Sequence, residues 1–141
     1  MKILKLSLLM VLLFLGSCVS AKIASYPNAN YPKTDPEKIQ VYNMKPPVEC
    51  EVIGEVEGRG APAASWDSVH SAMKKEAAKI GGDAIIIVES KREYSGTYHT
   101  PQTANAFVYG NYIYYTYNPG TSVPMMRKHI IGVVIRWKTK D

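Results

Sequence analysis

A small α+β domain, a mixed β-sheet carrying one amphipathic helix, is the fold class this sequence predicts. Three patterns predict it. Residues 49–57 alternate apolar and polar side chains. Residues 66–80 repeat apolar side chains at helical spacing. Residues 84–88 are apolar without a break, which suits a strand buried on both faces. The chain has 141 residues, 46% of them hydrophobic and 21% charged. That is enough for one core and too apolar for wholesale disorder.

The first segment reads as an address and not as part of the fold. Lys2 and Lys5 give a basic start, and residues 6–15 (LSLLMVLLFL) hold Ser7 as their one polar member. The run is shorter than the roughly 20 apolar residues a spanning helix needs, so it reads as the core of a secretory signal. It ends in Leu15-Gly16-Ser17-Cys18, which resembles a bacterial lipobox. The resemblance implies that residues 1–17 are a lipoprotein signal peptide. It also implies that Cys18 carries a covalent diacylglycerol and an N-acyl lipid such as palmitate. An ordinary signal peptide with a chance cysteine is the competing reading. Two acyl chains give stable attachment to a bilayer. Val19 in place of Asp suits forwarding to the outer membrane, so the expected location is the bacterial cell envelope.

Lys2 and Lys5 also carry two of the five net positive charges. The remaining cations are dispersed among twelve acids, and no basic cluster marks a nucleic-acid partner. With Cys18 lipidated, Cys50 has no partner within the chain. It is expected either as a buried small apolar residue, which its strand favours, or as half of an intermolecular disulfide.

Residues 18–38 show no sustained period and hold Pro27, Pro32 and Pro36. They are expected to form an extended tether between the lipid and a domain spanning 39–141. Tyr26 and Tyr31, each followed by proline, are the candidate anchors if a partner grips that tether. Residues 39–42 read as a short strand. In the next strand, Cys50, Val52, Gly54 and Val56 share one face, expected inward. Glu49, Glu51, Ile53, Glu55 and Glu57 share the other.

Ser65 is a plausible N-cap for a helix whose stripe is Trp66, Val69, Met73, Ala77 and Ile80. Gly81-Gly82 ends it. Residues 83–90 and 130–137 read as central strands, and strand, helix and strand over 49–90 suggest a βαβ core. Between them, 106–109 and 112–117 flank Gly110-Asn111 and predict a hairpin. Residues 97–103 and 120–126 are expected as loops.

His70, His99 and His129 have no metal-ligand spacing, and no nucleophile sits in a catalytic motif. No metal and no cofactor are expected apart from the lipid on Cys18, and the protein is expected not to be an enzyme. Tyrosine is the stronger lead. Tyr109, Tyr112, Tyr114, Tyr115 and Tyr117 occupy one hairpin, with Tyr112 and Tyr114 on one face and Tyr115 and Tyr117 on the other. One face is expected to cover the sheet. The hairpin is also the candidate docking surface for an envelope protein, a glycan or peptidoglycan, and the alternative is a self-assembling structural lipoprotein whose second sheet face is buried between subunits.

The stretch 51–56 (EVIGEV), the amphipathic helix and 75–86 (KEAAKIGGDAII) together resemble small bacterial envelope lipoproteins of the RcsF-like stress-sensor group and the related YbjQ-like oligomeric domain. The resemblance covers about residues 49–90, with a weaker match at Ile131-Gly132-Val133. It implies an α+β domain that acts in interaction or signalling without catalysis. RcsF-like proteins hold this fold with disulfides, whereas Cys50 alone remains here.

Overall fold

The computed structural model describes residues 19–29, 31–46 and 48–138. The expected signal segment 1–17 and the expected lipidation site Cys18 lie outside the described residues. Among the described residues, seven strands and one α-helix follow in order: β1 (Val19–Ser25), β2 (Gln40–Tyr42), β3 (Cys50–Gly60), α1 (Trp66–Lys79), β4 (Ala84–His99), β5 (Thr103–Tyr109), β6 (Tyr112–Asn118) and β7 (Ser122–Trp137). Five strands form one sheet in the order β1-β3-β7-β4-β2, and β5 pairs with β6 in a second. Neighbours in the large sheet are antiparallel except β2 with β4, so the sheet is mixed and the fold is small α+β.

The helix is set by its ends and its stripe. The Ser65 side chain accepts a hydrogen bond from the Ser68 amide at 3.0 Å, and Asp67 sits in the first turn. At the other end, the Gly82 amide donates to Ala77 at 3.0 Å and the Gly81 amide to Ala78 at 3.2 Å. This is the Schellman pattern, and Gly81 takes the left-handed position at φ 79°. Val69, Met73, Ala77 and Ala78 are buried against Ile39, Ile53, Val56, Ile85, Ile130 and Val134. A Cβ on Gly58 would lie 2.7 Å from Val69 and Met73 side-chain atoms, so glycine there lets the helix approach the sheet.

Several expectations are corrected. The segment read as a tether is built into the domain from Val19 onward. Its first residues form the edge strand β1, paired from Val19 opposite Gly60 to Ser25 opposite Gly54. Val19, Ala21 and Ile23 turn toward the core. The segment that follows is then bound to the C-terminal end of α1, where the Thr34 amide donates to Ala78 at 3.0 Å and its hydroxyl to Gly82 at 2.6 Å.

The inward reading of Cys50 also fails. A β-bulge between Val52 and Gly54 leaves both Ile53 and Gly54 buried, which inverts the alternation on its N-terminal side. Cys50 is half-buried and shares its face with Val52, which is 45% exposed. The strands joined by α1, β3 and β4, are not neighbours, because β7 lies between them and pairs with both. The expected loops at 97–103 and 120–126 are largely strand, since β4 runs on to His99 opposite Ser122. Finally, the hairpin does not cover the sheet, for both of its strands are exposed along their whole length.

Candidate functional site

The outer halves of β4 and β7 leave the five-stranded sheet as a two-stranded ribbon. The ladder continues from Lys91 opposite His129 to His99 opposite Ser122. It is extended by the Thr100 amide, which donates to Thr121 at 2.9 Å, and by the Thr121 amide, which donates to the Thr100 hydroxyl at 2.6 Å. The β5–β6 hairpin then carries the chain outward from Thr103 opposite Asn118 to Tyr109 opposite Tyr112. Ribbon and hairpin form one arm.

Residues 94–126 of this arm contain no Asp, Glu, Lys or Arg, and they hold seven of the chain's ten tyrosines. The register sorts the hairpin into two faces. Phe107, Tyr109, Tyr112 and Tyr114 share one; Ala106, Val108, Ile113, Tyr115 and Tyr117 share the other. The five tyrosines predicted as a site, Tyr109, Tyr112, Tyr114, Tyr115 and Tyr117, are therefore brought together and all are exposed. A two-stranded hairpin is only marginally stable alone in water, and native strand edges are usually blunted by charge or proline. Neither device is present in β5 or β6.

The tether anchors are placed differently. Tyr31 packs against the core, its ring lies 4.5 Å from the Arg136 guanidinium, and its hydroxyl donates to Glu51. Tyr26 donates to Glu55 at 3.2 Å. These carboxylates push both phenol pKa values up. Tyr31 therefore fastens the chain to its own sheet and is not free for a partner.

At the base of the arm is a cluster that sequence reasoning missed. His129 is 6% exposed. Its Nε2 is 2.6 Å from a Glu57 oxygen and its Nδ1 is 2.8 Å from a Glu93 oxygen. Both ring nitrogens are thus engaged by carboxylates from two different strands. Arg59 lies 2.6 Å from Glu57, Lys91 lies 3.5 Å from Glu93, and Arg127 lies 3.5 Å from Glu93. The Arg59 hydrogen bond, with that of His129 behind it, holds the Glu57 carboxyl below its usual range, and the His129 hydrogen bond does the same for Glu93. The cluster ties β3, β4 and β7 together where the arm departs. Its members are far apart in sequence, and the pairing of strands alone unites them.

Other positions offer less chemistry. An open cleft of about 420 Å³ is lined by residues that include Asp67, His70, Ser71 and Lys74. Burial pushes the His70 imidazole pKa down. Among the described residues, no group of His, Cys, Asp and Glu could hold a metal ion. No helix among them is long and apolar enough to cross a membrane.

No protein-family model and no curated protein matches the sequence. Among solved structures, the chain is similar to the crystal structure of a Francisella virulence factor, FvfA, in its orthorhombic form. The two share 17% sequence identity with a TM-score of 0.48, over 82% of this chain and 96% of that chain. A likeness of that degree carries no activity from one chain to the other.

Proposed function

We propose that this chain is a non-catalytic, lipid-anchored protein of the bacterial envelope that docks on another envelope component through its tyrosine arm. The carrying observation is the arm itself, an uncharged, aromatic ribbon that the sheet extends away from the core and that no other element among the described residues covers. Tyrosine offers large contact area at low entropy cost together with a polar tip, which is why it is enriched at interfaces. The lipobox at Leu15-Gly16-Ser17-Cys18 supplies the anchor. Within the body, β3, α1 and β4 act as a βαβ core with β7 between its two strands. The kinship with RcsF-like and YbjQ-like proteins belongs to the same proposal, and it points to interaction or signalling.

In-cell photo-crosslinking tests the docking role. A benzophenone amino acid replacing Tyr115 should capture an envelope component. The same group replacing Lys75, an exposed helix residue, should not. Equal adducts from both positions, or none from either, would contradict the reading. A second reading, self-assembly, is favoured by the sheet face opposite the helix, where Val52 is 45% exposed. Mass measurement of the soluble body decides it, since a strict monomer excludes self-assembly.

A further inference from the structure

The arm and the start of the domain belong to one end of the sheet. Val19 lies opposite Gly60, Gly60 opposite Lys128, and Lys128 opposite Arg92, so these four residues form one row across four strands. β1 runs away from this row as residue numbers rise, while β4 crosses it outward and β7 crosses it inward. The chain therefore enters the domain, directly after Cys18, at the end from which the arm leaves. With β1 beginning at Val19, no long spacer separates the row from the acylation site.

The chemistry of that end is graded. Along the row and beside it stand five cations against three carboxylates: Arg59, Lys91 and Arg127 pair with Glu57, Glu89 and Glu93, Lys128 donates to the Ala64 carbonyl, and Arg92 is exposed. Beyond them, residues 94–126 carry no Asp, Glu, Lys or Arg, and their tyrosines are exposed. From Arg92 to Tyr109, a ribbon rising at about 3.3 Å per residue reaches at most roughly 55 Å. A cationic base followed by uncharged, tyrosine-rich surface is the order met at a membrane interface. There aromatic rings settle at headgroup level and cations face lipid phosphates. The ribbon has two open backbone edges, whose N–H and C=O groups would be unsatisfied in hydrocarbon, so it suits the headgroup layer and not a crossing.

We infer that the arm's partner is the lipid surface itself: residues 94–126 lie in the headgroup layer of the bilayer that holds Cys18, with the exposed Arg92 of the row on its phosphates. This deepens the proposed function and rests on the anchoring at Cys18. It names the envelope component as lipid, and a protein partner or a second copy becomes an outcome of the test.

The test uses the full-length protein matured in a bacterium fed labelled palmitate. The protein is then reconstituted in vesicles of phosphatidylethanolamine and phosphatidylglycerol whose acyl chains are brominated near the headgroup. Tyr114→Trp is introduced with Trp66→Phe and Trp137→Phe. The indole at 114 should lose emission to brominated lipid and be protected from aqueous iodide. A companion with Trp137 as its only indole should show the reverse, because Trp137 lies at the far end of the sheet, opposite Cys50. Should the double-Phe background fail to fold, the difference between wild type and Y114W with both native tryptophans kept gives the same readout. Labelled protein whose indole at 114 is quenched by iodide and not by bromine overturns the inference and leaves the anchor standing. Crosslinks between copies or to another protein at that position, without lipid quenching, also overturn it. Protein that takes up no palmitate overturns the anchoring reading instead.

Discussion

At His129 two carboxylates converge on one ring, and the consequence is measurable. His129→Ala leaves Glu57 and Glu93 facing an empty, largely buried position between Arg59, Lys91 and Arg127. Loss of hydrogen bonds to charged groups should cost about 1–3 kcal/mol, read by urea denaturation. The pH dependence follows from the two glutamates. Each has its folded pKa below the ordinary value of 4.5. Their contribution is therefore fully present above the unfolded value and is lost as pH falls through the folded values. Stability should fall as pH drops below about 4.5 and on through the lowered folded values, and Glu57→Gln should flatten that slope. A slope unchanged in the Gln variant would remove Glu57 from the account. The alternation over 49–57 showed that Glu57 sits on a strand, but not that His129 and Glu93 lie on the next two strands, because register is a property of pairing.

The helix is the element most legible in the sequence. Its cap residue, its stripe and its glycine stop each act within a few positions, and a 3.6-residue period needs no knowledge of partners. Two substitutions test this. Ser65→Ala removes the side-chain acceptor of the Ser68 amide and should cost about 1 kcal/mol. Gly58→Ala pushes a methyl group against Val69 and Met73 and should cost about 1–3 kcal/mol. Thermal unfolding checks both, and a neutral Gly58→Ala would show that the helix has room to shift.

The strands were less legible. β1 was hidden because its inward residues Val19, Ala21 and Ile23 alternate with Ser20, Lys22 and Ala24, so small side chains blur the contrast between faces. The bulge in β3 inverted the reading of Cys50, and a bulge leaves no mark in composition. The hairpin and its two faces were legible from Gly110-Asn111 and strict alternation, whereas the lengths of β4 and β7 were not. Thr97, Tyr98, Thr121 and Ser122 look like loop until each is paired across the ribbon. Because both hairpin strands are exposed along their length and pack on no other element among the described residues, excising residues 103–118 and closing the gap with glycines should leave the melting temperature of the body unchanged. A large fall would mean that the arm is part of the core.

For the whole molecule, the central claim is one of polarity. One end of the sheet receives the chain beside Cys18, carries Arg92 and Lys128 and sends out the uncharged arm, while Trp137 and Cys50 mark the opposite end. Fold and function meet in this arrangement, for a sheet that only needed to enclose its core could stop at the row of Lys128. Chymotrypsin, which cuts after tyrosine, tests the polarity most directly. Cleavage at Tyr109, Tyr112, Tyr114, Tyr115 and Tyr117 is followed by mass spectrometry in two forms of the protein, one anchored in its native membrane and one beginning at Val19 without an acylation site. The account predicts that these tyrosines are cut readily in the soluble form and protected in the anchored form. Equal cleavage in both forms would contradict it.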